Sequence, residues 1–174
     1  IWYAHLQQIY FKHMQQQEYY FSYEIYDATE ELDEADAVLL RMARETTVFA
    51  YAPYSGFHVG AVARLANGEI VKGTNQENAS YPVGICAERV LLSSASSQYP
   101  GTSIKTIAIS YHNKNGESNK PVSPCGICRQ TLTEYEERQT KNIRLILSGM
   151  TGKVIVISTT KSLLPLSFGN ADLK

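Results

Sequence analysis

Three cysteines and one glutamate are the residues of this sequence whose types and spacing best suit chemistry. Cys125 and Cys128 are three positions apart in the segment PVSPCGICRQ, and Cys86 precedes Glu88 by two positions in CAER. The chain has only three cysteines, so a closed disulfide framework cannot use them all. A Cys-x-x-Cys pair in a reduced protein more often indicates metal or redox chemistry than a bridge. We therefore expect a cytoplasmic protein whose thiols serve such chemistry.

The two cysteine motifs each lie where a loop is predicted to enter a helix. If the two helix starts meet, Cys86, Cys125 and Cys128 converge on one point and can hold one Zn²⁺ per chain. Three protein ligands leave the fourth tetrahedral position for water, which is the pattern of a catalytic zinc site. Glu88 would reach that water without binding the metal and would act as general acid and base. The spacing ligand-x-Glu followed by Pro-Cys-x-x-Cys is the pattern of zinc deaminases.

Charge balance gives the neighbouring arginines a role at such a site. Three thiolates around Zn²⁺ sum to a negative charge, and burying that charge without compensation is costly. Two helix N-termini offset part of it. Arg89, one helical turn beyond Cys86, would supply a full positive charge, and Arg129 is a second candidate.

Three plainer interpretations of the cysteines remain open. They could be core-packing residues, or Cys125 and Cys128 could form a thioredoxin-like redox pair, which leaves Cys86 unused. They could also hold a structural zinc with His58 or His112 as the fourth ligand. Against this, we expect His58 to be a half-exposed strand residue and His112 to lie in a polar loop.

Periodicity predicts the elements that position these residues. Asp33 is expected to cap the first helix, and Asn67-Gly68 predicts a two-residue hairpin turn. Four residues separate the last two strands, which is long enough for a hairpin and too short for a parallel crossover. Helices that alternate with strands cover both faces of one sheet. We expect an α/β fold, a three-layer α/β/α sandwich with a mixed five-stranded sheet. The predicted helices and strands are 33–50, 57–65, 69–75, 86–97, 104–111, 124–138, 142–148 and 153–158, followed by a short helix and tail.

The N-terminal 27 residues are predicted to be an extension to a catalytic domain at 28–174. Residues 18–27 alternate with a period of two, which indicates an edge strand. Residues 1–13 lack the apolar run and cleavage site of a signal peptide. We expect the native protein to begin at Met14, with residues 1–13 as upstream readthrough, a tag or an extension.

Composition argues against several classes of partner. The 174 residues carry a formal net charge of −1 without a basic block, so a nucleic acid is not expected to be the partner. No apolar run approaches the length of about 18 to 20 residues that spans a membrane. The expected partner is a small molecule.

Several motifs together resemble the small, homotetrameric cytidine deaminases of nucleoside salvage. The resemblance runs from about residue 32 to 173 and includes YAPYSGFHVGA, GTNQENASYPVGICAER, SPCGICRQ and LLPLSFGNADL. It implies a cytidine deaminase-like fold with Zn²⁺ held by Cys86, Cys125 and Cys128. It also implies that Glu88 is the general acid and base. The implied reaction converts cytidine and deoxycytidine to uridine and deoxyuridine and releases ammonia.

The same resemblance implies the substrate-binding residues. Asn75 and Glu77 match the pair that holds the ribose hydroxyls, and Phe57 matches the aromatic that packs on the pyrimidine. Tyr81 and Phe168 match residues that a neighbouring subunit contributes, so a homotetramer with shared active sites is expected. The pattern alone allows a turn-cap role for Asn75 and Glu77 and a core-packing role for the two phenylalanines.

The hairpin predicted at the end of the chain favours the branch that acts on free nucleosides, because related branches have a helix there. Two rival functions stay open. One is a deaminase of a modified cytosine nucleoside such as blasticidin S, and the other is a non-catalytic zinc-binding relative.

Overall fold

The computed structural model describes residues 14–173, so the prediction for residues 1–13 lies outside the described part of the chain. The first helix is capped as predicted, because the Asp33 side chain accepts a hydrogen bond from the Asp36 N–H at 2.9 Å. Its last turn tightens into a 3-10 turn at Thr47–Phe49. The helices are α1 (Glu34–Thr46), α2 (Ala87–Gln98) and α3 (Gly126–Gln139), and the strands are β1 (Glu24–Tyr26), β2 (Phe57–Leu65), β3 (Ile70–Thr74), β4 (Ile104–Asn113), β5 (Arg144–Ser148) and β6 (Val154–Ile157).

The sheet is mixed and has the strand order β1-β6-β5-β4-β2-β3. Only β4 and β5 pair in parallel, and α3 makes the crossover that such a pair requires. All other neighbours are antiparallel. The predicted three-layer α/β architecture is confirmed, but the predicted number of five strands is wrong because β1 joins the sheet as a sixth.

The extra strand is shorter than its sequence pattern predicts. The period of two covers residues 18–27, whereas only Glu24–Tyr26 pair, opposite Val154–Val156 of β6. The aromatic residues that precede them are exposed and have no strand partner within the described chain. An alternating pattern favours extended backbone, but ladder hydrogen bonds form only where a neighbouring strand lies opposite, and β6 has four residues.

Two apolar cores lie on opposite faces of the sheet. Successive residues of β4 serve both, since Ile107 and Ile109 belong to the core beneath α2 and α3 while Ala108 belongs to the core beneath α1. Side chains alternate between the faces of a strand, so a strand covered on both sides is apolar throughout. This explains why Ile107, Ala108 and Ile109 are apolar in succession and all buried.

Gly73 sets how closely α2 approaches the sheet. A Cβ on Gly73 would lie 2.5 Å from the backbone oxygen of Ala87 and 2.5 Å from the nitrogen of Leu91. These distances are far inside normal van der Waals contact, so only glycine permits the approach. The first turn of α2, which follows Cys86, is thereby held directly against β3.

Both predicted hairpins are confirmed as antiparallel pairs. The first has a three-residue loop rather than a two-residue turn, because the Leu65 N–H donates to the Glu69 oxygen at 2.9 Å and only Gly68 has a positive φ, 91°. The predicted C-terminal helix is two short 3-10 turns, Thr160–Leu163 and Asn170–Leu173. Within residues 14–173, none of the helices combines the length and apolar character needed to cross a bilayer.

Candidate active site

The two helix starts meet and bring the three cysteines together. Cys86 is the residue before α2, Cys125 is the residue before α3, and Cys128 lies in the first turn of α3. Their three Sγ atoms lie within 4.8 Å of one another. The predicted convergence of the thiols is therefore present, although the motifs are about 40 residues apart in the chain.

The sulfur atoms have the spacing that a tetrahedral zinc ion requires. Two sulfurs that each lie about 2.3 Å from tetrahedral Zn²⁺ are about 3.8 Å apart. The Sγ atoms of Cys86 and Cys125 are 3.8 Å apart, and all three cysteines are free thiols. The donor set and its spacing therefore fit one Zn²⁺ per chain.

The pKa values of the Cys86 and Cys128 thiols are shifted in opposite directions. A hydrogen bond from Cys128 is the main reason that the pKa of the Cys86 thiol is lowered to about 6, and the charge of Arg89 acts in the same direction. The pKa of Cys128 is raised because it donates that bond and is buried. Cys86 thus deprotonates more easily than Cys128, and metal binding would have to displace the remaining thiol protons.

The two candidate arginines have different positions. Arg89 is half-buried one turn into α2, and its charge lowers the pKa of Cys86. Arg129 instead donates to the backbone oxygens of Pro124 at 2.9 Å and Leu163 at 3.1 Å. Arg129 therefore ties the start of α3 to the C-terminal segment, whereas Arg89 remains the candidate for charge balance.

Glu88 lies beside the thiol cluster and is almost completely buried, with 6% of its surface exposed. Burial raises the pKa of its carboxyl, because desolvation disfavours the ionised form. Its position in the first turn of α2 places it two residues beyond Cys86. The carboxyl group can therefore exchange protons at the cluster while bulk water has little access to it.

A cavity of about 400 Å³ opens in front of the thiols. Its walls come from the loop before β2, the ends of β2, β3 and β4, the start of α2, and the loop before α3. Most of the site residues predicted from the sequence meet here: Phe57, Asn75, Glu77, Cys86, Glu88 and Cys125.

Asn75 and Glu77 are held in place by backbone groups. The Asn75 oxygen accepts from the Val59 N–H at 2.7 Å, and its Nδ2 donates to the Phe57 oxygen at 2.8 Å. These bonds continue the β2–β3 ladder through a side chain. Asn75 therefore presents its remaining hydrogen-bonding capacity in a defined direction.

Glu77 accepts hydrogen bonds from the Tyr54 N–H at 2.9 Å and from the Ser55 hydroxyl. The Ser55 hydroxyl is the main cause of the lowered pKa of Glu77, and the backbone bonds add to it. The carboxylate is therefore ionised and oriented, and it keeps free lone pairs for further donors.

Sequence reasoning missed several residues of the cavity. Tyr111 stacks on Phe57 with ring centroids 4.7 Å apart and an interplanar angle of 14°. Ser55 positions Glu77, and Val122 and Ser123 line the side next to Cys125. Ser55 could have been found from its place in the YAPYSGF motif. Tyr111 gave no signal, because it ends an apolar strand and reads as core.

Tyr81 and Phe168 do not line the cavity of their own chain. Tyr81 is 75% exposed and packs against Tyr54, with ring centroids 5.8 Å apart. Phe168 is 60% exposed, and its backbone oxygen accepts from the Gln130 side chain on α3 at 2.8 Å. Both aromatic side chains are therefore exposed, lie outside the lining of their own cavity and are available to another molecule.

The alternative with a histidine as fourth ligand is not supported. Among residues 14–173, the three cysteines are the only set of at least three metal-ligating side chains that cluster together. His58 and His112 are instead paired opposite each other on β2 and β4. His58 is buried rather than half-exposed, and His112 lies in a strand rather than a loop.

Fold and site together define a class of protein: an α/β enzyme with a thiol zinc centre at two helix starts and a buried carboxyl group beside it. Residues 33–142 match the family described as the cytidine and deoxycytidylate deaminase zinc-binding region. The chain belongs to this family.

Three relatives are similar over nearly their whole length. A cytidine deaminase of Halalkalibacterium halodurans is 34% identical over 136 residues, which are 78% of this chain and 96% of that protein. A crystal structure of cytidine deaminase from Burkholderia pseudomallei has 38% identity and a TM-score of 0.65, and it covers 75% of this chain and 97% of the other. Blasticidin-S deaminase of Bacillus cereus is 30% identical over 139 residues, 79% of this chain and 94% of that protein.

Proposed function

We propose that the chain catalyses the zinc-dependent hydrolysis of cytidine and deoxycytidine to uridine and deoxyuridine, with release of ammonia. The observation that carries this proposal is the buried Glu88 carboxyl beside three converging thiols, at the wall of a cavity that also presents Glu77 and Asn75. The deciding experiment incubates the zinc-loaded protein with cytidine and follows the loss of the cytidine absorbance together with the release of ammonia. The absence of both signals would refute the proposal.

Cys86, Cys125 and Cys128 are the proposed zinc ligands, and Arg89 balances their negative charge. When bound, zinc supplies a Lewis acid that lowers the pKa of water toward about 7. Glu88 takes one proton from the attacking water and gives it to N3 of the ring while the C4–O bond forms. Glu88 then takes the second proton from the new C4 hydroxyl and gives it to the amino group, and the C4–N bond breaks with release of ammonia. Water and cytidine thus become uridine and ammonia, and Glu88 ends in its starting state.

The polar residues at the other wall suit a nucleoside sugar. Glu77 is a hydrogen-bond acceptor whose orientation is fixed by the Tyr54 N–H. Asn75 is an amide that the Val59 N–H holds in place and that can both donate and accept. Sugar hydroxyls match both groups, so we assign the ribose to them and the pyrimidine to the face of Phe57. A carboxylate at this position also disfavours a phosphate group, which agrees with a free nucleoside rather than a nucleotide or nucleic acid as substrate.

The active site is proposed to be completed by neighbouring copies in a homotetramer. Tyr81 and Phe168 support this, because both are exposed and lie outside their own cavity. Subunit complementation tests it: inactive Glu88→Gln and inactive Phe168→Ala chains are mixed and re-assembled. We expect partial recovery of activity, since some sites combine an intact Glu88 with an intact Phe168 from a neighbour. A mixture that forms hetero-oligomers and stays inactive would contradict shared sites.

A modified cytosine nucleoside such as blasticidin S is the second candidate substrate, and the similarity to the Bacillus cereus enzyme favours it. A panel of cytidine, deoxycytidine and blasticidin S, compared by kcat/KM, separates the two. A preference for blasticidin S would overturn the main proposal. Measured turnover of any of the three would exclude the non-catalytic alternative.

Two further assignments are proposals of the same kind. We place the catalytic domain at residues 28–174, with residues 1–27 as an extension. We place the protein in the cytoplasm, because a zinc site built from three thiols is best maintained where cysteines stay reduced. Fractionation of cells that express the protein at native levels tests the second assignment.

A further inference from the structure

The chain after β6 ends in a segment that makes few bonds of its own. We call residues 164–173 the C-terminal tail, which contains Phe168 and the 3-10 turn Asn170–Leu173. None of its residues is buried, so it adds little to either apolar core. A segment with so few buried contacts keeps a fixed course only where another element holds it.

The C-terminal tail crosses one face of α3. Residues 130, 134 and 137 share that face, because their spacing is that of successive helical turns. Residues 130 and 134 line a hollow of about 410 Å³ together with Phe168 and Gly169. A Cβ on Gly169 would lie 2.8 Å from a carboxylate oxygen of Glu137, so the tail backbone passes directly over the helix.

Two neighbouring side chains of α3 hold this crossing. Arg129 donates to the backbone oxygen of Leu163 at 3.1 Å, just before the tail begins. Gln130 donates through Nε2 to the backbone oxygen of Phe168 at 2.8 Å. Within residues 14–173, Gln130 supplies the only side-chain hydrogen bond that reaches the tail from outside it.

The backbone group that Gln130 holds belongs to the residue whose ring is proposed to enter a neighbouring cavity. A fixed carbonyl restricts ψ of Phe168 and therefore the direction in which its side chain leaves the backbone. If the tail were free, it would lose conformational freedom whenever the ring entered that cavity. This loss would weaken substrate binding there, because the ordering cost opposes association.

We propose that Gln130 is a positioning residue: it holds the Phe168 carbonyl so that the Phe168 ring is prepared for the active site of a neighbouring copy. The inference rests on the proposed function, in particular on shared sites, and identifies the residue of the donating chain that orients the donated ring. Gln130 lies two residues beyond Cys128 but does not line the cavity of its own chain. Its effect is therefore expected in the neighbour's site and not in its own.

Gln130→Ala removes the hydrogen bond from the tail. Glu134→Ala is the matched control, since Glu134 lines the same hollow one turn further along α3 without a hydrogen bond to the tail. KM and kcat with cytidine and zinc content are measured for both variants. We expect Gln130→Ala to raise KM about fivefold, which is about 1 kcal/mol and typical of one hydrogen bond. Its kcat and zinc content should stay within twofold of the wild type, and Glu134→Ala should match the wild type throughout.

Subunit mixing shows in which chain Gln130 acts. In a mixture of Glu88→Gln and Phe168→Ala chains, the Glu88→Gln chain donates the intact Phe168, and the Phe168→Ala chain supplies the intact Glu88. Adding Gln130→Ala to the Glu88→Gln chain should raise the KM of the recovered activity about fivefold. Adding it to the Phe168→Ala chain should leave that KM unchanged, because the tail of this chain no longer carries the ring.

The outcomes separate this inference from the proposed function. If the parent mixture recovers activity but Gln130→Ala changes KM by less than twofold, the hydrogen bond does not position the ring and the inference is wrong. An equal or larger effect from the Phe168→Ala chain would show that Gln130 acts on its own site, which also overturns it. A parent mixture that forms hetero-oligomers and recovers no activity refutes shared sites, and the inference falls with that proposal.

Discussion

The substitution Glu88→Gln separates the proposed proton chemistry from metal binding and folding. The amide has nearly the same shape as the carboxyl group but can neither take nor give the required protons. Glu88 is 6% exposed, so bulk water cannot easily replace it. One general acid or base typically contributes about 10²- to 10⁴-fold, and Glu88 is assigned more than one transfer. We therefore expect kcat to fall by about 10⁴, or about 5.4 kcal/mol at 1.36 kcal/mol per tenfold.

Zinc content and stability should not fall in the same variant. Glu88 is not a proposed ligand, so metal analysis should still find one zinc per chain. Burial raises the carboxyl pKa, so the fold favours the protonated carboxyl over the ionised one. The stability that the protonated carboxyl contributes is fully present below its pKa in the unfolded chain and is lost as the pH rises through its raised pKa in the fold. A neutral amide should therefore leave the Tm near neutral pH unchanged or higher. The exposed Glu45→Gln on α1 is the control, and it should keep full activity.

The assay is steady-state deamination of cytidine, followed with metal analysis and thermal unfolding on the same preparations. A kcat within tenfold of the wild type, at equal zinc content, would refute the role assigned to Glu88. A large loss of activity accompanied by loss of zinc would instead identify Glu88 as a ligand.

Three other substitutions test the site and its support. Cys125→Ala should lower zinc content from about one per chain to a small fraction and lower the Tm, because metal binding and folding are coupled; full zinc occupancy would show that Cys125 is not a ligand. Arg89→Ala should speed zinc loss to a competing chelator, and Arg89→Lys should restore part of the retention, since it keeps the charge; identical retention in all three proteins would refute the charge-balance argument. Gly73→Ala should destabilise the fold by several kcal/mol in denaturant unfolding, because the added Cβ would lie 2.5 Å from Ala87 and Leu91 backbone atoms; a stability within 1 kcal/mol of wild type would show that α2 shifts freely.

The prediction from sequence was most accurate where the chemistry depends on local spacing. Cys86 and Glu88 lie two residues apart at one helix start, and Cys125 and Cys128 share one turn at another. Such spacing fixes which side chains can serve one ion once the helices form. The helix cap at Asp33 and the hairpin at Gly68 are also local, and both are present.

Residues whose roles depend on distant partners were harder to predict. The residues next to His58 in the sequence do not show whether another helix or loop covers its side chain, and in the structure the side chain is buried. Arg89 and Arg129 each lie about one helical turn after a cysteine, Cys86 and Cys125 respectively, so the sequence does not distinguish their roles. Only the placement of the Leu163 carbonyl assigns Arg129 to the backbone.

The sequence by itself determined the zinc motif, the order of helices and strands, and the α/β class, because each depends on residue type and on spacing within about one turn or one strand. Tertiary structure alone decided which residues of the predicted edge strand pair, the hydrogen bond from Ser55 to Glu77, and the position of Tyr111 in the cavity. In each case the partner is far away in the sequence. Strand β1 pairs with β6, Ser55 donates to a residue 22 positions further along, and the strand that carries Tyr111 pairs with β2. Hydrogen bonds and stacking act over a few ångströms of space, so a side chain's role is set by which distant segment the fold places beside it.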